Sequence, residues 1–481
     1  MPKKFFPTNT PQYLGWLKAQ GTAPAASPDA GGTPVGLTFT TTLSALTSHN
    51  ISDSANYNKA NFPTLFTGTS NKDGVNFTVN STLMDDSQNA AAPLNISKVS
   101  MKKLMPAGWT GKIINHFQGW WGNPSHPNIG YSDTNASDMA RIMADSGSRG
   151  YDVVVLDYYG ITVTGAGNDA VADLIAANAP QTGQTFAIMI DSGYFAKNGV
   201  VAANYQSSLV SIINHLASRY FNNPAYEHYT LNGVKRPLLL LWNVANFAGT
   251  NINWTTLKTQ ITGNPLLIQY QKGGFTVAAS DGAFAWVDTT ADTNTGVTSG
   301  TTYLSNGFLP ACTTHQSQVC ISSALKGFNG TLTKSTAWSL GKFLDQQNGQ
   351  TWLDWWSTNS SYVSGGHRLD YIGVVTFDDF QEGTAVQAGI LNDIVFTSAQ
   401  ISGSTLTWAV SGNENTVFSY EIYITPDGSN MAHLATILPG QSKSVDLSSL
   451  SIPSGNYSVY VQAQGQPCIV NHLSSPMPYT R

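Results

Sequence analysis

From residue 111 onward the chain is organised as about eight continuous apolar runs, separated by helix-like stretches, over some 280 residues. No other sequence feature constrains the fold as strongly. The runs are KIINHF (112–117), VVVLDYYG (153–160), FAIMIDSGYF (186–195), RPLLLLWNV (236–244), PLLIQYQ (265–271), GAFAWVD (282–288), a segment around SALKGFNG, and DYIGVVTFDDF (370–380). A strand with one wet face alternates apolar and polar residues, whereas a strand covered on both faces reads as an unbroken apolar run. Eight such runs alternating with helices predict an α/β fold, a (β/α)8 TIM barrel over residues 104–390. A doubly wound open sheet is the alternative, differing in strand order, which local pattern does not encode. SDTNASDMARIMADSG carries capping residues at the start of its helix. The last helix is expected within STAWSLGKFLDQQNGQTWLDWW.

The flanks follow other rhythms. Residues 1–103 are rich in Thr, Asn, Ser and Ala, with GLTFTTTL and GVNFTVNSTL as short alternating strands around a linker-like AQGTAPAASPDAGGTP. This predicts a β-rich N-terminal extension. Residues 391–481 carry short alternating strands at regular spacing, which predicts a C-terminal β-sandwich. There LSSLSIPSGNYSVYV resembles the E–F corner of a fibronectin type III sandwich, which implies Tyr457 as the corner tyrosine.

In a barrel of this kind the working groups stand at the C-terminal strand ends. Those ends supply His116, Gln118, Trp120 and Trp121, then Asp157, Tyr158 and Tyr159, then Asp191 and Tyr194. Trp242 and Asn243 follow the fourth run, Gln269 and Tyr270 the fifth, Trp286 and Asp288 the sixth. Lys326, Phe328 and Asn329 follow the seventh, and Asp378, Asp379 and Glu382 the eighth. Rings cover the apolar C–H faces of sugars, while carboxylates and amides bond their hydroxyls. Glycosidic cleavage needs one acid to protonate the leaving oxygen and a second group to handle the nucleophile. The chain has four glutamates, Glu227, Glu382, Glu414 and Glu421, and only Glu382 stands at a strand end. Glu227 reads as a surface residue. Each acid also has a plainer reading: Asp157, Asp191 and Asp288 can cap loops, and acids suit a helix N-terminus by themselves. Trp120 and Trp121 can be core packing, and His116 reads as a structural or positioning residue.

The string VVTFDDFQEGTAVQ is similar to the last barrel strand of glycoside hydrolase family 71 (endo-α-1,3-glucanases) and family 99 (endo-α-mannosidases). HPNIGYSDTNASDMARIMADSGSRGYDVVVLDYYG, DGAFAWVD and KGFNG resemble the first half-barrel and the sixth and seventh strands of related bacterial proteins. The resemblance covers roughly residues 104–392. It implies a glycosidase in which Glu382 is the general acid/base, Asp379 activates water or the substrate's own hydroxyl, and Asp157 joins them. The family strand reads Thr-Trp-Asn where this chain has Thr376, Phe377 and Asp378, so a third carboxylate is added. The expected substrate is a polysaccharide, an α-glucan or α-mannan by resemblance, with β-linked glycans open. The expected binding residues are Asp191, Trp120, Trp121, His116, Tyr159, Tyr194, Trp242, Asn243, Tyr270, Trp286, Asp288, Lys326 and Asp378. A chitinase fits worse, because Tyr159 stands where its signature needs an acid. A non-catalytic carbohydrate binder on a barrel scaffold is the reading from another class.

Other classes find little support. A net charge of −5 leaves no basic stripe for nucleic acid. No apolar stretch reaches the roughly 18 residues of a membrane span. No Gly-rich phosphate loop, nucleophile elbow or Cys/His metal spacing is present, so no cofactor is expected. Charged residues make up 11% of the chain, a palette that suits secreted and envelope proteins, although MPKKFFPTNT shows no signal-peptide core. Cys312 and Cys320 lie eight apart in an apparent polar loop and can pair, with Cys468 left over; three free thiols is the equal alternative.

Overall fold

The computed structural model describes residues 37–47, 66–69, 76–79, 95–121, 131–247, 251–287, 300–329, 343–379 and 382–481. Its centre is a closed parallel barrel of β1 (Lys112–Phe117), β2 (Val153–Gly160), β3 (Thr185–Asp191), β4 (Val234–Trp242), β5 (Leu266–Tyr270), β6 (Gly282–Phe284), β7 (Val319–Ala324) and β8 (Tyr371–Val374). Each strand pairs with the next, and β8 pairs with β1 through Ile372 opposite Ile113. That last ladder closes the ring and removes the open-sheet alternative. Val153–Leu156 and Leu238–Leu241 are all at 0% exposure, because helices cover the outside while side chains fill the inside.

Three outer helices begin on asparagine caps. Asn135 accepts from the amides of Ser137 and Asp138 to start α1 (Ala136–Ser148). Asn168 does the same for α2 (Asp169–Asn178), and Asn253 for α5 (Trp254–Gln260). A short Asn side chain satisfies amides that the first turn cannot. Between them lie α3 (Gly193–Lys197) and α4 (Tyr205–Leu216); α6 (Leu309–Thr314) and α7 (Gln350–Ser364) follow. The last helix starts later than its composition predicts. Phe343–Leu344 instead pairs antiparallel with Phe328–Asn329, and Gly349 at φ 89° sets the start of α7.

The floor of the barrel corrects the reading of Glu227. It is 1% exposed, not a surface residue. Its carboxylate accepts from Lys112 Nζ at 2.7 and 2.8 Å, Tyr371 OH at 2.7 Å and Thr185 Oγ1 at 2.5 Å. These partners come from the starts of β1, β8 and β3, so one glutamate ties three strands at the N-terminal end.

Cys312, near the end of α6, is bonded to Cys320 in β7, with Cα atoms 5.8 Å apart. The expected polar loop is thus a helix end turning into a barrel strand. Cys468 is free and buried.

Beyond residue 394 two antiparallel sheets share a core that includes Leu406, Trp408, Tyr420, Ile422 and Val459. One sheet holds strands Val395–Ser402, Thr405–Ser411 and Ser444–Asp446. The other orders Phe39–Thr42, Asn430–Ile437, Val417–Thr425, Asn456–Gly465 and His472–Leu473, with Met477–Thr480 also on Asn456–Gly465. A strand from the N-terminal region therefore completes the C-terminal sheet, Phe39 opposite Ala432. Tyr457 OH donates to the Pro453 carbonyl at 2.9 Å. The segment around Ile469 bridges Ile390 and Ile96, and Trp352 Nε1 donates to the Pro467 carbonyl, joining this unit to the barrel. Among the described residues no helix is long and apolar enough to cross a membrane.

Candidate active site

The chain leaves β8 in a loop closed on itself. Phe377 N donates to the His116 carbonyl at 2.9 Å, extending the β8–β1 contact past the strand. At the neck, Val386 N reaches the Thr376 carbonyl at 3.2 Å and Gln387 N the Phe377 carbonyl at 2.8 Å. Asp379 sits in the turn: its amide donates to Thr376 Oγ1, and its carbonyl accepts from Thr384 N and Ala385 N at 3.1 Å each. Its Oδ1 accepts from Glu382 N at 2.9 Å. Asp379 is buried and Glu382 only partly so. One short loop thus carries both acidic residues after β8, linked by the bond from the Glu382 amide to the Asp379 carboxylate.

Asp378 ties this loop to the end of β1. Its Oδ1 accepts from Gln118 N at 2.9 Å, and its carbonyl from Trp121 Nε1 at 2.9 Å. Trp121 N in turn donates to Asp133 Oδ2 at 2.7 Å. Burial pushes the Asp378 carboxyl well above the usual range, and the charge of Asp133 adds to that. Asp133 itself is pushed up to about 8, chiefly by burial. Trp121 is 1% exposed and serves this junction from the interior, where it borders a small cavity together with Trp120.

A second acidic group stands at the ends of β2 and β3. Asp157, Tyr159 and Asp191 stand close enough there to shift one another's ionisation. Burial, then the neighbouring charge of Asp191, raises Asp157 well above the ordinary carboxylate range. Burial also lifts Asp191 to about 7, opposed by the Gly193 amide and by Lys197. The Tyr159 hydroxyl is raised by burial and by Asp157. Position 193 must be glycine: a Cβ there would fall 2.6 Å from the Tyr159 ring and 2.9 Å from Asp191 Oδ1. Lys197 Nζ lies 4.9 Å from the Tyr159 ring centre, placing a cation beside the pair.

Aromatic rings line the inner wall. Trp242 packs on Tyr270 (5.1 Å between centroids) and meets Trp286 edge-on at 6.3 Å. His116 stands edge-on to Trp286 at 4.9 Å, and burial lowers its pKa to about 3, so the imidazole is neutral. Among the described residues neither of its ring nitrogens has a hydrogen-bond partner. Gly373 on β8 makes room for it, since a Cβ there would lie 2.4 Å from His116 Nε2. Among the described residues no cluster of His, Cys, Asp or Glu could hold a metal ion.

No protein-family model matches the chain, and no curated protein matches it. Among solved structures it is similar to the GH99 endo-alpha-mannosidase from Bacteroides thetaiotaomicron in complex with bis-tris propane. That match has 17% identity and a TM-score of 0.43, over 59% of this chain and 88% of that one. A second structure of that mannosidase gives 16% identity with the same score and coverage. A GH20 exo beta-N-acetylglucosaminidase from Vibrio harveyi matches at 9% identity and a TM-score of 0.27, over 45% of this chain and 41% of that one. The barrel assignment stands on the closed strand order itself.

Of the residues expected at the site, the structure puts Asp157, Tyr159 and Asp191 in one group, and Asp378, Asp379 and Glu382 in one loop. His116, Trp242, Tyr270 and Trp286 form one aromatic wall. Trp120 is half-buried and borders a small cavity of about 130 Å³ with Thr134, Thr164 and Asn168. Asn243 ends β4 in the left-handed region at φ 52°. Lys326 is fully buried beyond β7. Tyr194 departs from expectation: its hydroxyl bonds Ser208 Oγ on α4 at 2.9 Å, which holds the ring in the helical layer. Asp288 lies outside the described residues. Sequence reading missed Asp133 and Lys197. Asp133 stands two residues before the α1 cap and reads as part of a capping sequence, so only the Trp121 contact reveals it.

Proposed function

We propose that this chain is a glycoside hydrolase acting on a polysaccharide, with Glu382 as proton donor and Asp379 as the group that activates the attacking oxygen. The observation that carries the reading is the loop after β8, where Asp379 Oδ1 bonds Glu382 N within a mouth that also holds Asp157, Asp191 and an aromatic wall. Glu382 would deliver a proton to the glycosidic oxygen as the C–O bond breaks. Asp379 would take a proton from water, or from a substrate hydroxyl acting in its place. Asp157, Tyr159 and Asp191 would bond sugar hydroxyls, since a protonated carboxyl donates as well as accepts. Trp242, Tyr270 and Trp286 would cover the C–H faces of the ring.

The finer parts of the proposal are an endo-acting enzyme, an α-glucan or α-mannan substrate, and an extracellular or envelope location. The Cys312–Cys320 bond supports the location, because such bonds persist in oxidising compartments. The two-sheet order and the Tyr457 bond support reading the C-terminal unit as fibronectin type III-like. The test is reducing-sugar release from α-1,3-glucan, α-mannan, other α-glucans and β-glucans. Release from one polymer supports the reading; tight binding to a polymer with no release from any replaces it with a carbohydrate binder.

A further inference from the structure

Arg149 is the C-cap of α1 and is fully buried, yet nothing in the proposed chemistry uses it. Its guanidinium donates to the carbonyl of Val386 at 2.7 Å and to that of Gln387 at 2.5 Å. These residues form one side of the neck that closes the loop of Asp379 and Glu382, and their amides already bond Thr376 and Phe377 across it. The guanidinium carbon also lies 5.7 Å from the centre of the Phe377 ring, on the other side of the neck. Its charge is balanced by Asp145 Oδ2 at 2.6 Å, and Lys98 bonds the same carboxylate. Tyr131 OH adds a bond to the Gln387 side chain at 2.7 Å.

A buried ion pair is weak as a source of stability, because desolvation offsets most of its attraction. What this pair supplies is direction. A rigid, planar fork engages two successive carbonyls at the base of the loop, a geometry an ammonium or a methyl group does not reproduce. We infer that Arg149 is a positioning residue: it fixes the neck of the loop after β8 at Val386 and Gln387 and thereby the relative placement of Asp379 and Glu382. In its kinetic part the inference rests on the glycosidase reading above. Misplacing a catalytic group by about 1 Å costs on the order of 100-fold in rate.

The test uses the full chain in two forms, Arg149→Lys and the double variant Arg149→Met with Asp145→Asn, which leaves the net charge of the cluster with Lys98 unchanged. Hydrogen exchange of the 379–390 segment is compared with kcat and KM on the polymer cleaved by the native protein. The expected result is a melting temperature close to native, faster exchange in that segment alone, and kcat reduced about 100-fold with KM within roughly threefold. Native exchange in 379–390 with kcat within threefold of native, in a folded variant, would overturn the inference. If the native protein cleaves no polymer, the hydrolase reading fails by itself, and local exchange still decides the role of Arg149.

Discussion

Glu227 offers a way to separate what holds the barrel from what works at its mouth. It sits at the opposite end of the barrel from Glu382, fully enclosed, with four hydrogen bonds to Lys112, Tyr371 and Thr185. Replacing it with Leu removes every one. The Lys112 side chain keeps 41% of its exposure and can return its charge to water. The hydroxyls of Tyr371 and Thr185 have less freedom, since Tyr371 is 1% exposed. Leaving the Tyr371 and Thr185 hydroxyls without their acceptor costs about 1–3 kcal/mol each, a large part of a typical stability of about 5–15 kcal/mol. Glu227→Gln keeps the shape and one carbonyl acceptor, so its cost should be nearer 1–2 kcal/mol. Urea unfolding followed by tryptophan fluorescence measures both. At 20 °C the folded fraction of each variant should hydrolyse substrate at the native rate, because the N-terminal end of a barrel governs stability and not chemistry. A Leu variant within 1 kcal/mol of native would refute the network's role. A loss of kcat at unchanged stability would refute the division between the two ends.

Two further outcomes follow from the same structure. The unfolded chain releases the Asp191 proton near the ordinary carboxylate pKa, while the folded chain holds it to about 7. That contribution to stability is therefore full below pH 3.8 and is lost as pH rises through about 7. Asp191→Asn should flatten the decline of melting temperature between pH 4 and 8; an unchanged slope would show that Asp191 ionises normally. Separately, Cys312→Ser with Cys320→Ser opens an eight-residue separation. Loop-entropy arguments put the loss at about 2.5 kcal/mol, and an unchanged urea midpoint would contradict it.

The barrel was legible because its strands are covered on both faces, so each wrote a continuous apolar run, and the strand ends followed from the runs. Asp157, Asp191, Asp379 and Glu382 could be placed near strand ends because a strand end is a local feature. What stayed hidden depends on distant partners. Glu227 looked exposed because its burial requires Lys112, Thr185 and Tyr371 from three other segments. Tyr194 follows a strand as a site residue would, yet Ser208 on the next helix turns its hydroxyl away. Trp121 and Trp120 are neighbours in sequence, and it is the bonds to Asp378 and Asp133 that seat Trp121 inside. The strand Phe39–Thr42 finds its partner some 390 residues later, a pairing no local periodicity announces.

The most direct test of the central claim is the rate of polymer hydrolysis by Glu382→Gln beside the native protein, with melting temperature measured on both. The account predicts a folded variant whose kcat falls by about 1,000-fold or more, on the same polymer the native chain cleaves. A folded Glu382→Gln with kcat within tenfold of native would contradict the assignment of the proton donor to the loop after β8.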